Sequence, residues 1–190
     1  MARVTRVKKA RVSKYTRLCD YPGCGRPIEP GDGMKYINPR LPGEPGSVTR
    51  YRCASHPDWH VWEYSTSLSA RIAKIKYDGN DKILQADENT IEDLPTDLGW
   101  SIRGVAYEKR DSAQNVESSF GHPTRLSESL KQQADELEDW AYNIEGVDVL
   151  NGKPDEKDRD DDPDSHEEAL ESWLERLRND LQDALEGSPL

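Results

Sequence analysis

The sequence predicts an α+β protein, mostly α, with three structured parts: a small cysteine-containing β-hairpin module, an elongated antiparallel helical hairpin and a tethered C-terminal amphipathic helix. All three cysteines fall within residues 19–53, and apolar residues recur at helical spacing from residue 65 onward. Of the 190 residues, 34% are hydrophobic and 33% are charged, which is too little apolar material for one large core. The predicted parts are a basic arm (1–18), the module (19–64), the helical hairpin (65–150), an acidic disordered linker (151–165) and the C-terminal helix (166–190).

The N-terminal arm contains seven basic residues and no acidic residue. Such a segment cannot fold alone, and its composition is typical of an arm that lies along phosphates. A solubilising tail, or an arm folded onto the acidic half of its own chain, is the alternative. The candidate nucleic-acid-binding residues are Arg3, Arg6, Lys8, Lys9, Arg11, Lys14 and Arg17 of the arm, with Arg50 and Arg52 on the strand that leads to the third cysteine.

Two closely spaced pairs of metal-ligand residues flank the predicted hairpin. Cys19 and Cys24 form a C-x4-C pair, and Cys53 and His56 form a C-x2-H pair; His60 is near enough to compete for the fourth position. Three thiolates and an imidazole are a tetrahedral zinc set. Four protein ligands leave no open position for water, so we expect a structural zinc ion and no catalytic residue.

The residues between the two ligand pairs are predicted to form a hairpin like that of a zinc ribbon or treble clef. Met34–Ile37 and residues 47–52 are the predicted strands, joined by a loop rich in proline and glycine. The aromatic residues that follow the last ligand are expected to cap the module: Trp59, Trp62 and Tyr64. Stacking on nucleic-acid bases is a second interpretation of Tyr36, Tyr51 or Trp59.

Three helical segments follow. The first starts after the serine and threonine caps at 65–67, and Asp78–Asp81 is expected to interrupt it. The second runs from about Pro95 to Phe120, and the short connection 121–124 makes the third its antiparallel neighbour. The third has a heptad seam: Leu126, Leu130, Gln133, Leu137, Trp140, Ile144 and Val147.

The C-terminal helix carries another apolar stripe, which begins Leu170, Leu174, Leu177 and Leu181. Such a stripe needs a partner. Folding back on the hairpin, dimerisation and docking on another protein are all open, and the tether favours the last two.

Charge divides the chain. Residues 1–60 carry 12 Lys and Arg against 5 Asp and Glu, whereas residues 61–190 carry 14 against 32. One end of the chain therefore attracts anions and the other repels them. No apolar run approaches membrane length and no signal peptide is evident, so we expect a cytoplasmic protein without a membrane partner or a small-molecule substrate.

Several segments resemble small, largely uncharacterised zinc-finger proteins of tailed bacteriophages. They are the opening residues 1–11, the knuckle 24–32, the loop 38–40, residues 52–55 and parts of the helical hairpin at 107–113, 120–122 and 136–140. The resemblance covers roughly residues 1–148 and implies a zinc site and an infected bacterial cell, but no reaction. The C-x4-C spacing and the histidine of the second pair depart from the C-x2-C pairs that are more usual there.

These observations favour a non-enzymatic protein that binds nucleic acid through its basic N-terminal half and uses its acidic helices for assembly. The alternative is an interaction factor, for host takeover or anti-defence, in which zinc is purely structural. Its acidic helices would then bind a protein or mimic DNA.

Overall fold

The computed structural model describes residues 5–7, 16–39, 48–155 and 163–189. The chain forms two compact units, residues 1–71 (unit 1) and 72–190 (unit 2). Unit 1 contains small sheets and unit 2 is helical, so the predicted α+β, mostly α class is confirmed. The division falls within the first turn of a helix that begins at Leu68, slightly later than the predicted boundary after residue 64.

The described residues of unit 1 include five short strands. They are β1 (Thr5–Val7), β2 (Arg17–Leu18), β3 (Pro27–Ile28), β4 (Met34–Ile37) and β5 (Arg50–Cys53). The predicted hairpin is present as the antiparallel pair β4–β5, and β1 adds to the free side of β4. β2 and β3 form a second, two-stranded sheet. Two parts of the segment interpreted as an arm are thus strands of this unit.

Strand alternation gives the β4–β5 hairpin one buried face. Ile37 is fully buried, Arg52 is 2% exposed, and the alternating residues Tyr36 and Tyr51 are half-buried on the other face. Side chains that alternate along a strand point to opposite faces, so this pattern separates a core face from a partly open one. The core face also explains why a module of few apolar residues can fold.

Four α-helices follow in the described part of the chain. They are α1 (Leu68–Gln85), α2 (Leu94–Phe120), α3 (Arg125–Glu145) and α4 (Pro163–Glu186). The Ser67 hydroxyl accepts a hydrogen bond from the Ala70 amide (3.2 Å), as predicted for a cap of α1.

The predicted interruption of α1 is wrong. α1 continues through Gly79, which is buried. A Cβ atom at residue 79 would lie 2.9 Å from Leu185 Cδ2 and 3.0 Å from Leu98 Cδ2. The glycine therefore makes room for neighbouring helices, and the Asp-Gly-Asn-Asp sequence is not a turn.

α2 and α3 form the predicted antiparallel hairpin. Gly121 ends α2 in the left-handed conformation (φ 72°), and Thr124 caps α3. Ion pairs that join the two helices follow an antiparallel ladder: Arg103–Glu145 (2.7 Å), Arg110–Glu138 (2.7 Å) and Lys131–Glu117 (2.8 Å). The seam is buried at Leu137, Trp140 and Ile144, but its predicted first residue, Leu126, is 58% exposed because it lies in the first turn at the end of the hairpin.

α4 folds back on the hairpin, which was one of the three open interpretations. The indole Nε1 of Trp140 donates to the Ala184 carbonyl (3.0 Å), and Trp173 Nε1 donates to the Val149 carbonyl (3.1 Å). Lys76 of α1 pairs with Glu186 (3.0 Å). Of the predicted stripe, Leu177 and Leu181 are fully buried and Leu170 and Leu174 are half-buried; Leu185, which lies beside the stripe, is also fully buried.

The start of the predicted disordered linker is part of this packing. Lys153 pairs with Glu92, and the Arg176 guanidinium donates to the Asn151 carbonyl. Residues 156–162 lie outside the described residues, and 163–165 already belong to α4. Among the described helices, none combines the length and the apolar character needed to cross a membrane.

Candidate metal centre

The first ligand pair lies on a tight knuckle between β2 and β3. The Cys19 amide donates to the Arg26 carbonyl (3.0 Å), and the Cys24 amide donates to the Tyr21 carbonyl (3.0 Å). Gly23 and Gly25 have φ values of 76° and 52°, which residues with a side chain rarely adopt. These two glycines allow the chain to turn back so that both sulfurs lie on the same side.

The second pair lies where β5 ends. Cys53 is the last residue of β5, and the His56 amide donates to its carbonyl (3.1 Å), which closes a turn. The Cys53 amide also donates to the Cys19 sulfur (3.4 Å). That bond ties the second pair directly to the first.

The structure brings the four predicted ligands together. One ligand atom from each of Cys19, Cys24, Cys53 and His56 lies within 4.8 Å of every other. Donors bound to a single tetrahedral ion at about 2.0–2.3 Å are about 3.3–3.8 Å apart, so small side-chain movements would close this group around an ion. His60, the competing candidate, instead stacks on Trp62 with 4.3 Å between ring centroids.

The thiol groups are electrostatically coupled. Burial acts to raise the pKa of Cys19, but hydrogen bonds from the Cys53 and Tyr21 backbone, together with those from neighbouring thiols, lower it overall. Burial, the hydrogen bond with Cys19 and the charges of the other two sulfurs raise the pKa of Cys53 to about 11. Three thiolates so close together repel one another, and a bound cation would remove that repulsion.

Residues around the ligands hold His56 in place. The Tyr21 ring is stacked on the His56 imidazole, with centroids 4.2 Å apart and planes 8° from parallel. Lys35 donates to the His56 carbonyl and pairs with Asp58 (3.0 Å). Sequence reasoning missed Tyr21 and Lys35 in these roles; the only available signal was their position beside the knuckle and on the hairpin strand.

Arg52 belongs to the core of unit 1, which corrects its assignment to an exposed phosphate-binding surface. Its guanidinium pairs with Glu63 and donates to the Asp58 carbonyl (3.2 Å). It also lies over the rings of Trp59 (4.6 Å) and Tyr21 (5.1 Å). A guanidinium enclosed in this way links the metal-ligand group to the 3₁₀ turn Val61–Glu63 and is not open to a phosphate.

The other predicted nucleic-acid-binding residues have different positions. Arg50 is half-buried, and its guanidinium donates to the Glu63 carbonyl (3.4 Å). Arg17 is half-buried beside Tyr51, and Arg6 is the central residue of β1. Five residues lie outside the described part of the chain: Arg3, Lys8, Lys9, Arg11 and Lys14.

The arrangement could hold one metal ion with four protein ligands. Three soft sulfur donors and one imidazole complete a four-coordinate set, and the ligands come from two turns that the sheet holds side by side. The metal-ligand cluster is thus compatible with a bound metal ion that cross-links β2, β3 and β5. Comparison of the chain with protein-family models, with curated proteins and with solved structures gave no match.

Proposed function

We propose that this is a non-enzymatic protein whose unit 1 holds a structural zinc ion and binds nucleic acid. The metal part of the proposal is supported by the Cys3His group, because thiolate and imidazole donors in a four-ligand set suit Zn²⁺. Four protein donors fill a tetrahedral shell, so the ion would act by holding two turns together. A core as small as that of unit 1 benefits from such a cross-link.

The single observation that carries nucleic-acid binding is the charge of the folded unit. Residues 1–71 contain 13 Lys and Arg against 6 Asp and Glu, a balance of +7, whereas residues 72–190 have a balance of −18. β1 pairs with β4 and β2 pairs with β3, so the basic N-terminal segment is anchored to the sheets of unit 1 at both Thr5–Val7 and Arg17–Leu18. An anchored basic segment can be held along a phosphate backbone.

Two measurements test the metal. The purified protein should contain one zinc ion per chain, and Co²⁺ in its place should give the visible absorption of a tetrahedral cobalt thiolate. Cys24→Ser and His56→Ala should lower metal affinity, while the matched His60→Ala variant should retain it. Full metal content in Cys24→Ser would contradict the proposed ligand set.

Nucleic-acid binding is best tested by changing charge, since deleting residues 1–18 would also remove β1 and β2. The test variant replaces Lys8, Lys9, Arg11 and Lys14 with glutamine. The control variant makes the same change at four basic residues of unit 2: Lys74, Lys82, Lys109 and Arg125.

For the wild type, affinity for labelled DNA should fall steeply between about 50 and about 200 mM salt. The test variant should bind at least about tenfold more weakly. The slope of log affinity against log salt concentration should also become shallower, by about 0.7–0.9 for each phosphate that the variant no longer neutralises. The control variant should bind like the wild type. Equal affinity and slope in the test variant and the wild type would refute the proposal.

A second candidate function, binding of a basic protein partner through the acidic helices, is favoured by one feature of α2. Trp100 is 64% exposed and Tyr107 is 53% exposed, and both lie on the side of α2 away from its buried residues. Gly104 lies between them, and a Cβ there would meet nothing within 4 Å. Exposed aromatic residues of this size on a surface of net charge −18 suit a partner that is both basic and apolar.

The matching test is a titration with basic amphipathic peptides, monitored by intrinsic tryptophan emission. Trp100→Ala and Tyr107→Ala should each weaken binding, while Tyr142→Ala, another exposed aromatic residue, should not. Unchanged affinity in both α2 variants would rule out this surface. The phage context suggested by the resemblance stays a prediction under either candidate.

A further inference from the structure

The partly open face of the three-stranded sheet carries two tyrosines side by side. The register pairs Tyr36 of β4 directly with Tyr51 of β5, and their ring centroids are 6.4 Å apart. The guanidinium of Arg17 lies over the Tyr51 ring, 5.2 Å from its centroid. We call these three half-buried side chains the Tyr–Arg surface.

The Tyr–Arg surface lies opposite the buried face of β4 and β5. That buried face contains Ile37 and Arg52, and the Arg52 guanidinium lies over the ring of Trp59. Trp59 was the third aromatic candidate for base stacking, but it is only 6% exposed and its ring is covered by the Arg52 guanidinium. Of the three candidates, the two tyrosines are half-buried and Trp59 is buried.

The Tyr–Arg surface has the components that non-specific single-strand binders use. These are aromatic rings on which bases stack, a cationic group that can stack or contact phosphate, and a positive field. Unit 1 supplies the field through its balance of +7. A partly solvent-exposed cation–π contact such as that of Arg17 on Tyr51 is weaker than the stacking of a base on an aromatic ring, so a base can displace it.

We propose that the Tyr–Arg surface stacks unpaired bases, and that unit 1 therefore prefers single-stranded nucleic acid to a duplex. This inference rests on the proposed nucleic-acid binding and specifies its substrate class. In a duplex, neighbouring bases are stacked at about 3.4 Å and their faces are covered. Two rings 6.4 Å apart suit bases of an extended strand that are no longer stacked on each other.

The test measures fluorescence anisotropy with the full-length, zinc-loaded protein and three labelled probes. They are an oligothymidine of about 12 nucleotides, an abasic oligomer of the same length, and a duplex of the same length; about 12 nucleotides lies within the site sizes of single-strand-binding folds. The abasic probe keeps every phosphate and removes every base. It therefore separates stacking from phosphate contact.

Oligothymidine should bind at least about tenfold more tightly than the abasic probe. Tyr36→Leu and Tyr51→Leu should each lower the affinity for oligothymidine about five- to tenfold or more. Neither substitution should change the affinity for the abasic probe. Tyr36→Phe, which keeps the ring, should bind like the wild type. Tyr107→Leu is the matched control in unit 2, and unchanged metal content verifies that each variant is folded.

Equal binding of oligothymidine and the abasic probe would overturn the stacking proposal and leave phosphate binding intact. The stacking proposal is also overturned if the full wild-type difference between the two probes survives in both leucine variants. Absence of binding to all three probes at about 50 mM salt would overturn the proposed function itself. The failures of the two proposals are thus distinguishable.

Discussion

Gly79 offers a direct test of how α4 packs on α1. Alanine in a helix interior normally stabilises by about 1 kcal/mol relative to glycine. At residue 79, however, the new methyl group would lie 2.9 Å from Leu185 Cδ2 and 3.0 Å from Leu98 Cδ2. Both leucines are buried, and inserting a methyl group into a packed core costs about 1–3 kcal/mol.

Gly104 is the matched control for this substitution. It also lies in a helix interior, but a Cβ there would meet nothing within 4 Å. Gly104→Ala should raise the free energy of unfolding by up to about 1 kcal/mol. The free energy of unfolding of Gly79→Ala should be about 1–3 kcal/mol lower than that of Gly104→Ala. Both variants gain the helix propensity of alanine, so this difference measures the cost of overpacking at residue 79.

Urea denaturation monitored by circular dichroism measures both values, and thermal melts should show a difference of about 4 °C per kcal/mol. In a Leu185→Ala background the cost of alanine at residue 79 should shrink, because the nearest atom is gone. If Gly79→Ala stabilises as much as Gly104→Ala, then α4 does not lie against Gly79 and the reasoning is refuted.

Three other predictions concern unit 1 and the α1–α2 connection. Removal of the proposed metal ion with excess chelator should abolish the dispersed amide resonance of Ile37 in unit 1 and leave that of Leu137 in unit 2, because the proposed site lies in unit 1 alone; loss of both resonances would contradict two units that fold independently. Arg52→Lys should destabilise zinc-loaded unit 1 by about 2–3 kcal/mol, because lysine cannot keep both the Glu63 pair and the stack on Trp59. Arg26→Lys, at an exposed position, should change the melting temperature little, and equal effects of the two substitutions would contradict the enclosed role of Arg52. Asp87 has a lowered pKa, chiefly because its carboxylate accepts hydrogen bonds from the Thr90 hydroxyl and amide. Because the pKa of Asp87 is lower in the folded protein than its unfolded value, near 3.8, the ionised carboxylate stabilises the fold at pH values above 3.8. This stabilisation is lost as the pH falls through the folded pKa. The melting-temperature difference between wild type and Asp87→Asn should therefore be largest above about pH 5 and shrink as the pH falls below the unfolded pKa; a difference that does not vary with pH would contradict the assignment.

The metal-ligand group was predictable from the sequence because its geometry is local. Each pair of ligands is separated by two or four residues, so a single turn brings them together, and β4 was predicted with its observed bounds. The α2–α3 hairpin was predictable for the same reason. Its apolar spacing and the short connection at Gly121 report on neighbouring turns of one chain segment.

Arg52 shows where such local reasoning fails. A basic residue on a strand near other basic residues is expected to be part of an exposed surface. Arg52, however, is only 2% exposed. Arg52 is buried by Glu63 and the ring of Trp59. Both residues follow the metal-ligand turn in the sequence, and they contact Arg52 only because the folded chain brings them back to β5. Sequence reports the charge of a side chain, whereas enclosure is set by residues distant along the chain.

The sequence by itself determined the soft donor set, the division of charge between the two units and the amphipathic helices, because residue type and short-range periodicity specify these properties. The tertiary structure decided the rest. It placed two strands in the predicted arm, folded α4 back onto the hairpin and turned Gly79 from an apparent helix breaker into a packing site. Each of these outcomes depends on contacts between chain segments brought together only by folding, which no local pattern encodes.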